Sequence, residues 1–172
     1  MAANAGVGGG GRSPSTETTT EQWRRVTMTN LDGVFWTLRE ASRHMMTRAE
    51  AGDPGGSRAW SRRPRLRSTA PRNQAYASTK GAVIAMDPGG IAVEYARYGV
   101  RANAILPGWI RTDMTAAPGS TTSSTRRRSG ACRCRRWGEP EDFAGIAVYL
   151  ASDASRFHTG DSFVIDGGYT IF

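Results

Sequence analysis

Tyr76 and Lys80 lie four residues apart in the stretch Tyr76-Ala77-Ser78-Thr79-Lys80. On a helix that spacing projects both side chains from one face into a shared space. A phenol with an ordinary pKa of ~10 is a poor acid or base at neutral pH, but a neighbouring ammonium favours the phenolate and brings the group toward useful proton chemistry. Lys80 is the only lysine in the chain, against 22 arginines. Taken alone, the spacing more commonly describes a solvated helix face, so the surrounding motifs must decide.

The elements that would position this pair follow from the hydrophobic pattern. Residues 1–6 read as the tail of a strand, followed by a glycine run, Gly8 to Gly11, and a polar stretch to Thr20. Trp23, Val26, Leu31, Val34, Leu38, Ala41 and Met45 recur at helical intervals and predict one face of a long helix reaching about Glu50, where Ala51 to Gly56 end it. A second long helix is expected from Ala75 to about Arg97, a strand from Val100 to Leu106, a third helix from Glu139 to Ser152 and a last strand from Ser162 to Ile165. This alternation implies a doubly wound parallel sheet with ligands at the carboxyl ends of its strands.

Further motifs stand around the pair. Asn4-Ala5-Gly6 and Thr29-Asn30-Leu31-Asp32-Gly33 precede it; Val100 to Thr112 with its central Pro107-Gly108, then Arg136-Trp137-Gly138-Glu139-Pro140-Glu141-Asp142, Thr159-Gly160 and Asp166-Gly167-Gly168 follow. In order and spacing the chain strongly resembles the short-chain dehydrogenase/reductase family from Asn4 to its end. The resemblance implies a partial doubly wound, Rossmann-like α/β fold lacking its first three strands, with residues 1–172 as one partial domain. It implies an oxidoreductase interconverting a hydroxyl and a ketone on a small alcohol or ketone, with NAD or NADP as cofactor. Tyr76 would be the general acid or base, and Lys80 would lower its pKa and bond the nicotinamide ribose. Asn30 would hold a water of the proton relay, or else relieve a helix kink before Gly33. Asn4, Ala5 and Gly6 would line the adenosine side through their backbone, while Pro107, Gly108, Ile110 and Thr112 would meet the nicotinamide and pyrophosphate. The helices around 21–50 and 75–98 resemble the pair the family uses to form homo-oligomers. Gly8 to Gly11 follow Asn-Ala-Gly, whereas the family's phosphate-binding glycines precede it, so this run reads as a loop and cofactor binding by these 172 residues alone is expected to be weak.

Three stretches depart from the family pattern. Where a buried strand should end in a catalytic serine about thirteen residues before Tyr76, position 63 is Arg63, and the text from Ser57 to Arg67 carries Pro64 and five arginines. Unpaired guanidiniums and a proline argue that this stretch cannot be a central strand. Asp87-Pro88-Gly89-Gly90 interrupts the second helix, and Pro118 to Arg135 replaces the substrate-covering segment with a Ser/Thr/Arg tract. Segments 57–72 and 118–136 are therefore taken as disrupted, either by local frame changes in a GC-rich gene or as an evolved basic arm. A catalytically dead remnant, acting at most as a structural or interaction protein, is the alternative reading.

Charge agrees with an enzyme rather than a nucleic-acid binder. The net charge is +8, but segments 57–72 and 126–136 hold six arginines each and no acidic residue, and what remains has eleven basic against fifteen acidic residues. Neither run forms an aromatic stacking platform, so nucleic acid is not an expected partner. No apolar stretch approaches the ~20 residues of a membrane span and no leader pattern opens the chain, which places the protein in the cytoplasm on this reading. Cys132 and Cys134 sit too close for an ordinary disulfide and lack the further ligands of a zinc site, so no metal is expected.

Overall fold

The structure, a computed structural model, describes residues 1–8, 14–61, 72–86, 88–113, 115 and 132–171, with backbone alone for 60 and 61. Arg63, Ser68, Asp87 and most of the 118–135 tract lie outside the described residues. Four strands, β1 (Ala2–Ala3), β2 (Gly56–Ser61), β3 (Val100–Pro107) and β4 (Ser162–Ile165), form one parallel sheet in the order β1-β2-β3-β4. The helices between them are α1 (Thr20–Thr27), α2 (Gly33–Glu50), α3 (Gln74–Ala85), α4 (Pro88–Glu94) and α5 (Ala144–Ala151).

Local chemistry sets the helix boundaries. The Thr19 hydroxyl accepts from Gln22 N–H at 3.1 Å and the Gln22 side chain accepts from Thr19 N–H at 3.0 Å, a capping box that starts α1. The expected long helix to Glu50 is present but passes through a π turn, Met28–Asp32, before α2 continues it. The second helix also divides: α3 stops at Ala85 and α4 restarts with Pro88 in its first turn, where a missing N–H costs no helical hydrogen bond. Pro88, Gly89 and Gly90 thus open α4 instead of interrupting a continuous helix.

Alternation along β3 assigns the two faces. Val100, Ala102, Ala104 and Leu106 are buried on one side; the last three share a core with Ala3, Val34, Leu38, Val83 and Ala92, while Val100 packs with Met45 and Tyr98. Arg101 and Asn103 point the other way, toward α5 and the turn after it: Arg101 donates to Ser155 Oγ at 2.6 Å and to the Leu150 carbonyl at 3.2 Å. Helical cover on both faces is what a parallel strand requires.

The expectation that 57–67 cannot hold a central strand is overturned for its first part. β2 pairs with β1 and with β3, from Gly56 opposite Val100 to Ser61 opposite Ile105. Its described part runs to Ser61; Arg62, Arg63 and Pro64 lie outside the described residues. The one arginine whose side chain is seen in it, Arg58, is 1% exposed. Its guanidinium donates to Ser42 Oγ and stacks 4.6 Å from the centre of the Tyr95 ring. Desolvation lowers its pKa, opposed by Tyr95 and Glu94.

Candidate active site

The carboxyl end of β1 opens into Asn4-Ala5-Gly6-Val7, and this segment meets the π turn and α3. Asn30 is fully buried in the π turn. Its Oδ1 accepts from Val7 N–H at 2.7 Å, and its Nδ2 donates to the Val7 carbonyl at 3.0 Å and to Thr79 Oγ1 at 3.3 Å. Both amide hydrogens are thereby used. Thr79 in turn donates to the Tyr76 carbonyl at 2.9 Å.

Tyr76 and Lys80 both lie on α3 and are half-buried, with Lys80 Nζ 5.7 Å from the centre of the Tyr76 ring. A Cβ placed on Gly6 would stand 3.5 Å from Asn30 Oδ1 and 4.0 Å from Lys80 Nζ. The missing side chain leaves backbone open beside the ammonium. Tyr76, Lys80, Asn30 and Gly6 thus come together, while Asn4 and Ala5 are exposed along the way from β1.

Pro107, Gly108 and Ile110 gather in a second cluster, where β3 leaves the sheet beside β4. Gly108 N–H donates to the Ile165 carbonyl at 3.0 Å, and a Cβ on Gly108 would fall 2.6 Å from Asp166 Cα. Only glycine permits that backbone approach. The Asp166 carboxylate caps its own turn, accepting from Gly168 N–H and Thr170 N–H, each at 2.8 Å. Ile110 bridges to Gly138, and Arg111 N–H donates to the Gly138 carbonyl at 2.9 Å. Thr112 is exposed and closes a small turn with Thr115, whose hydroxyl accepts from Thr112 N–H at 2.8 Å.

Two members of this arrangement escaped the sequence reading. Thr79 sits three residues from Tyr76, on the same helical face, and that spacing was its available signal. Val7 contributes through its backbone, which no residue type announces.

Chemically, a phenol, an ammonium and a buried carboxamide arranged around open backbone can hold and move a proton next to a bound polar group. Among the described residues no helix is long and apolar enough to cross a membrane.

A family model described as enoyl-(acyl carrier protein) reductase matches residues 1–170. Galactitol 2-dehydrogenase (L-tagatose-forming) of Cereibacter sphaeroides is 34% identical over 161 residues, covering 91% of this chain and 60% of that protein. The NADP-dependent (R)-specific alcohol dehydrogenase of Lentilactobacillus kefiri is 38% identical over 163 residues, covering 90% and 60%. Among solved structures, a gluconate 5-dehydrogenase from Burkholderia cenocepacia J2315 in complex with NADP and tartrate superposes with a TM-score of 0.85 at 30% identity, over 99% of this chain and 64% of that one. The chain therefore spans about 60% of the length of the curated relatives it matches.

Proposed function

The chain belongs to the short-chain dehydrogenase/reductase family, and on that premise we propose that it serves an NAD(P)-dependent oxidoreductase interconverting a hydroxyl and a ketone on a small molecule. The convergence of Tyr76, Lys80, Asn30 and Gly6 carries this reading. Tyr76 gives its phenolic proton to the carbonyl oxygen in reduction and takes one from the hydroxyl in oxidation. Lys80 stabilises the phenolate left behind. With both donors committed to Val7 and Thr79, Asn30 serves the relay by its place beside Lys80 rather than through a spare amide hydrogen.

The cofactor, when bound, supplies or accepts the hydride. The residues present fit one side of it. Gly6 leaves its backbone uncovered next to Lys80, with Asn4 and Ala5 exposed beside it, while Gly108 packs closely on Asp166 and so holds the turn in which Pro107, Gly108, Ile110 and Thr112 would meet the nicotinamide and pyrophosphate. Among the described residues no glycine-rich turn leads into a helix N-terminus to take the pyrophosphate. For the 172 residues alone, dissociation constants for NADH and NADPH of about millimolar or weaker are expected, since such a turn supplies the pyrophosphate donors.

Trp23, Phe35 and Trp36 are exposed along α1 and α2, which supports a homo-oligomer formed through those helices. The activity is tested by completing the chain to its relatives' length with the amino-terminal segment of the L. kefiri enzyme and assaying ketone-dependent oxidation of NADPH and NADH. A folded, completed protein that binds cofactor yet reduces none of a broad ketone panel would count against the reading.

A further inference from the structure

Cys132 and Cys134 take no part in the proposed chemistry, yet the fold wraps both around a single turn. Gly167 has φ +62°, and a Cβ placed on it would stand 2.5 Å from Cys132 Sγ and 3.6 Å from Cys134 Sγ. Both sulfurs therefore converge on one side of the same residue. Hydrogen bonds hold them there: the Cys132 thiol donates to the Gly167 carbonyl at 3.1 Å, and Cys134 N–H donates to that carbonyl at 3.0 Å. Arg135 N–H closes the cysteine turn by donating to the Cys132 carbonyl at 2.9 Å, while Asp166 fixes the other side by accepting from Gly168 N–H at 2.8 Å. Cys132 is buried and Cys134 exposed, so the pair has one anchored sulfur and one that meets solvent.

We propose that Cys132 and Cys134 form a dithiol site for one soft, thiophilic ion that accepts two sulfur ligands, monovalent copper being the ion of that class. Thiolate ligands select soft ions, whereas a structural zinc site takes four ligands. Among the described residues no group of three or more His, Cys, Asp and Glu gathers, and the stretch 116–131 contains none of these residue types. Among the described residues the site thus offers two sulfurs and no third ligand of these kinds. A direct S–S bond between residues two apart is strained; an ion between the sulfurs lengthens that link.

On binding, both S–H protons leave to solvent, two S–Cu bonds form and no electron is transferred. Two thiolates and one monovalent cation leave a single negative charge. The exposed guanidiniums of Arg133 and Arg135, in the same turn, offset it. Occupancy exchanges the Cys132 thiol's hydrogen bond to Gly167 for a bond to the ion, and the ion then staples the cysteine turn together beside the turn that follows β4.

The test uses the 172-residue chain, reduced and under argon, titrated with Cu(I) held by the chromophoric chelator bicinchoninate. One Cu(I) per chain should be withdrawn, with both thiols lost to a thiol reagent. Cys134→Ser, at an exposed position and with circular dichroism checking the fold, should withdraw copper at least tenfold more weakly, and so should the parent chain in denaturant. The proposal is overturned if the folded parent withdraws no copper, if Cys134→Ser matches it, or if the denatured chain binds as tightly.

Discussion

The side-chain amide of Asn30 pairs with both backbone groups of Val7, accepting from its N–H at 2.7 Å and donating to its C=O at 3.0 Å. This one residue ties the π turn to the chain leaving β1, and through Thr79 to the helix that carries Tyr76 and Lys80. Asn30→Ala would leave the part-buried Val7 backbone groups and the buried Thr79 hydroxyl short of a partner, a loss of about 1–3 kcal/mol. Urea unfolding should show the midpoint falling with an unchanged slope; an unchanged midpoint would mean that the pairing is not maintained in solution.

Two glycines should respond in opposite directions. Gly108→Ala would drive a methyl to within 2.6 Å of Asp166 Cα, a backbone atom that cannot step aside cheaply. Overpacking of this kind typically costs about 1–3 kcal/mol. Gly81 lies inside α3 and a Cβ there meets nothing within 4 Å. Gly81→Ala should therefore stabilise by up to about 1 kcal/mol through helix propensity. Thermal unfolding of the two variants, run side by side, checks both signs.

Arg58 illustrates what burial alone decides. Its Nε and Nη2 have no hydrogen-bond partner among the described residues, and buried charges of this kind are often improved upon by apolar residues of similar volume, by about 1–4 kcal/mol. Arg58→Met should keep β2 and raise the denaturation midpoint. A large loss of stability would show instead that the Ser42 and Tyr95 contacts outweigh the cost of desolvation.

Acid should weaken the Arg136–Asp142 pair in a defined window. The hydrogen-bonded Arg136 guanidinium, with help from Glu139 N–H, holds the Asp142 carboxyl down at about 2 against an ordinary value of 3.8. Because the folded value is the lower one, the pair contributes stability above the ordinary value, and that contribution is lost as pH falls through about 2. Asp161, lowered by its bond to His158, acts in the same direction. Asp142→Asn should lose less stability than the parent between about pH 4 and about pH 2, by a modest margin because the pair is exposed. Denaturant midpoints measured across that range decide it.

The readable parts of this fold were those written in local pattern. β4 appeared with its bounds as expected, Ser162 to Ile165, and β3 extended only one residue beyond Leu106 to Pro107. Asp87-Pro88-Gly89-Gly90 announced the break between α3 and α4 because proline and glycine act on their own backbone. β2 was misread because Arg58 is made tolerable by Ser42 on α2 and Tyr95 beyond α4, partners 16 and 37 residues away. The same distance hid the role of Val7, which lies 23 residues from Asn30. Tyr76, Lys80 and Asn30 were legible as residue types at helical spacing and within motifs, whereas the hydrogen bond that ties Asn30 to Thr79 on the helix of Tyr76 depends on how the elements dock.

Tyr76 is the proposed proton donor, and removing its hydroxyl tests that role most directly. In the chain completed with a relative's amino-terminal segment, Tyr76→Phe keeps the ring on α3 and deletes the transferable proton. Turnover of a ketone should fall by about 10² or more while NADPH affinity stays within a few-fold of the parent. Near-parental turnover by Tyr76→Phe, in a protein whose parent is active, would contradict the account.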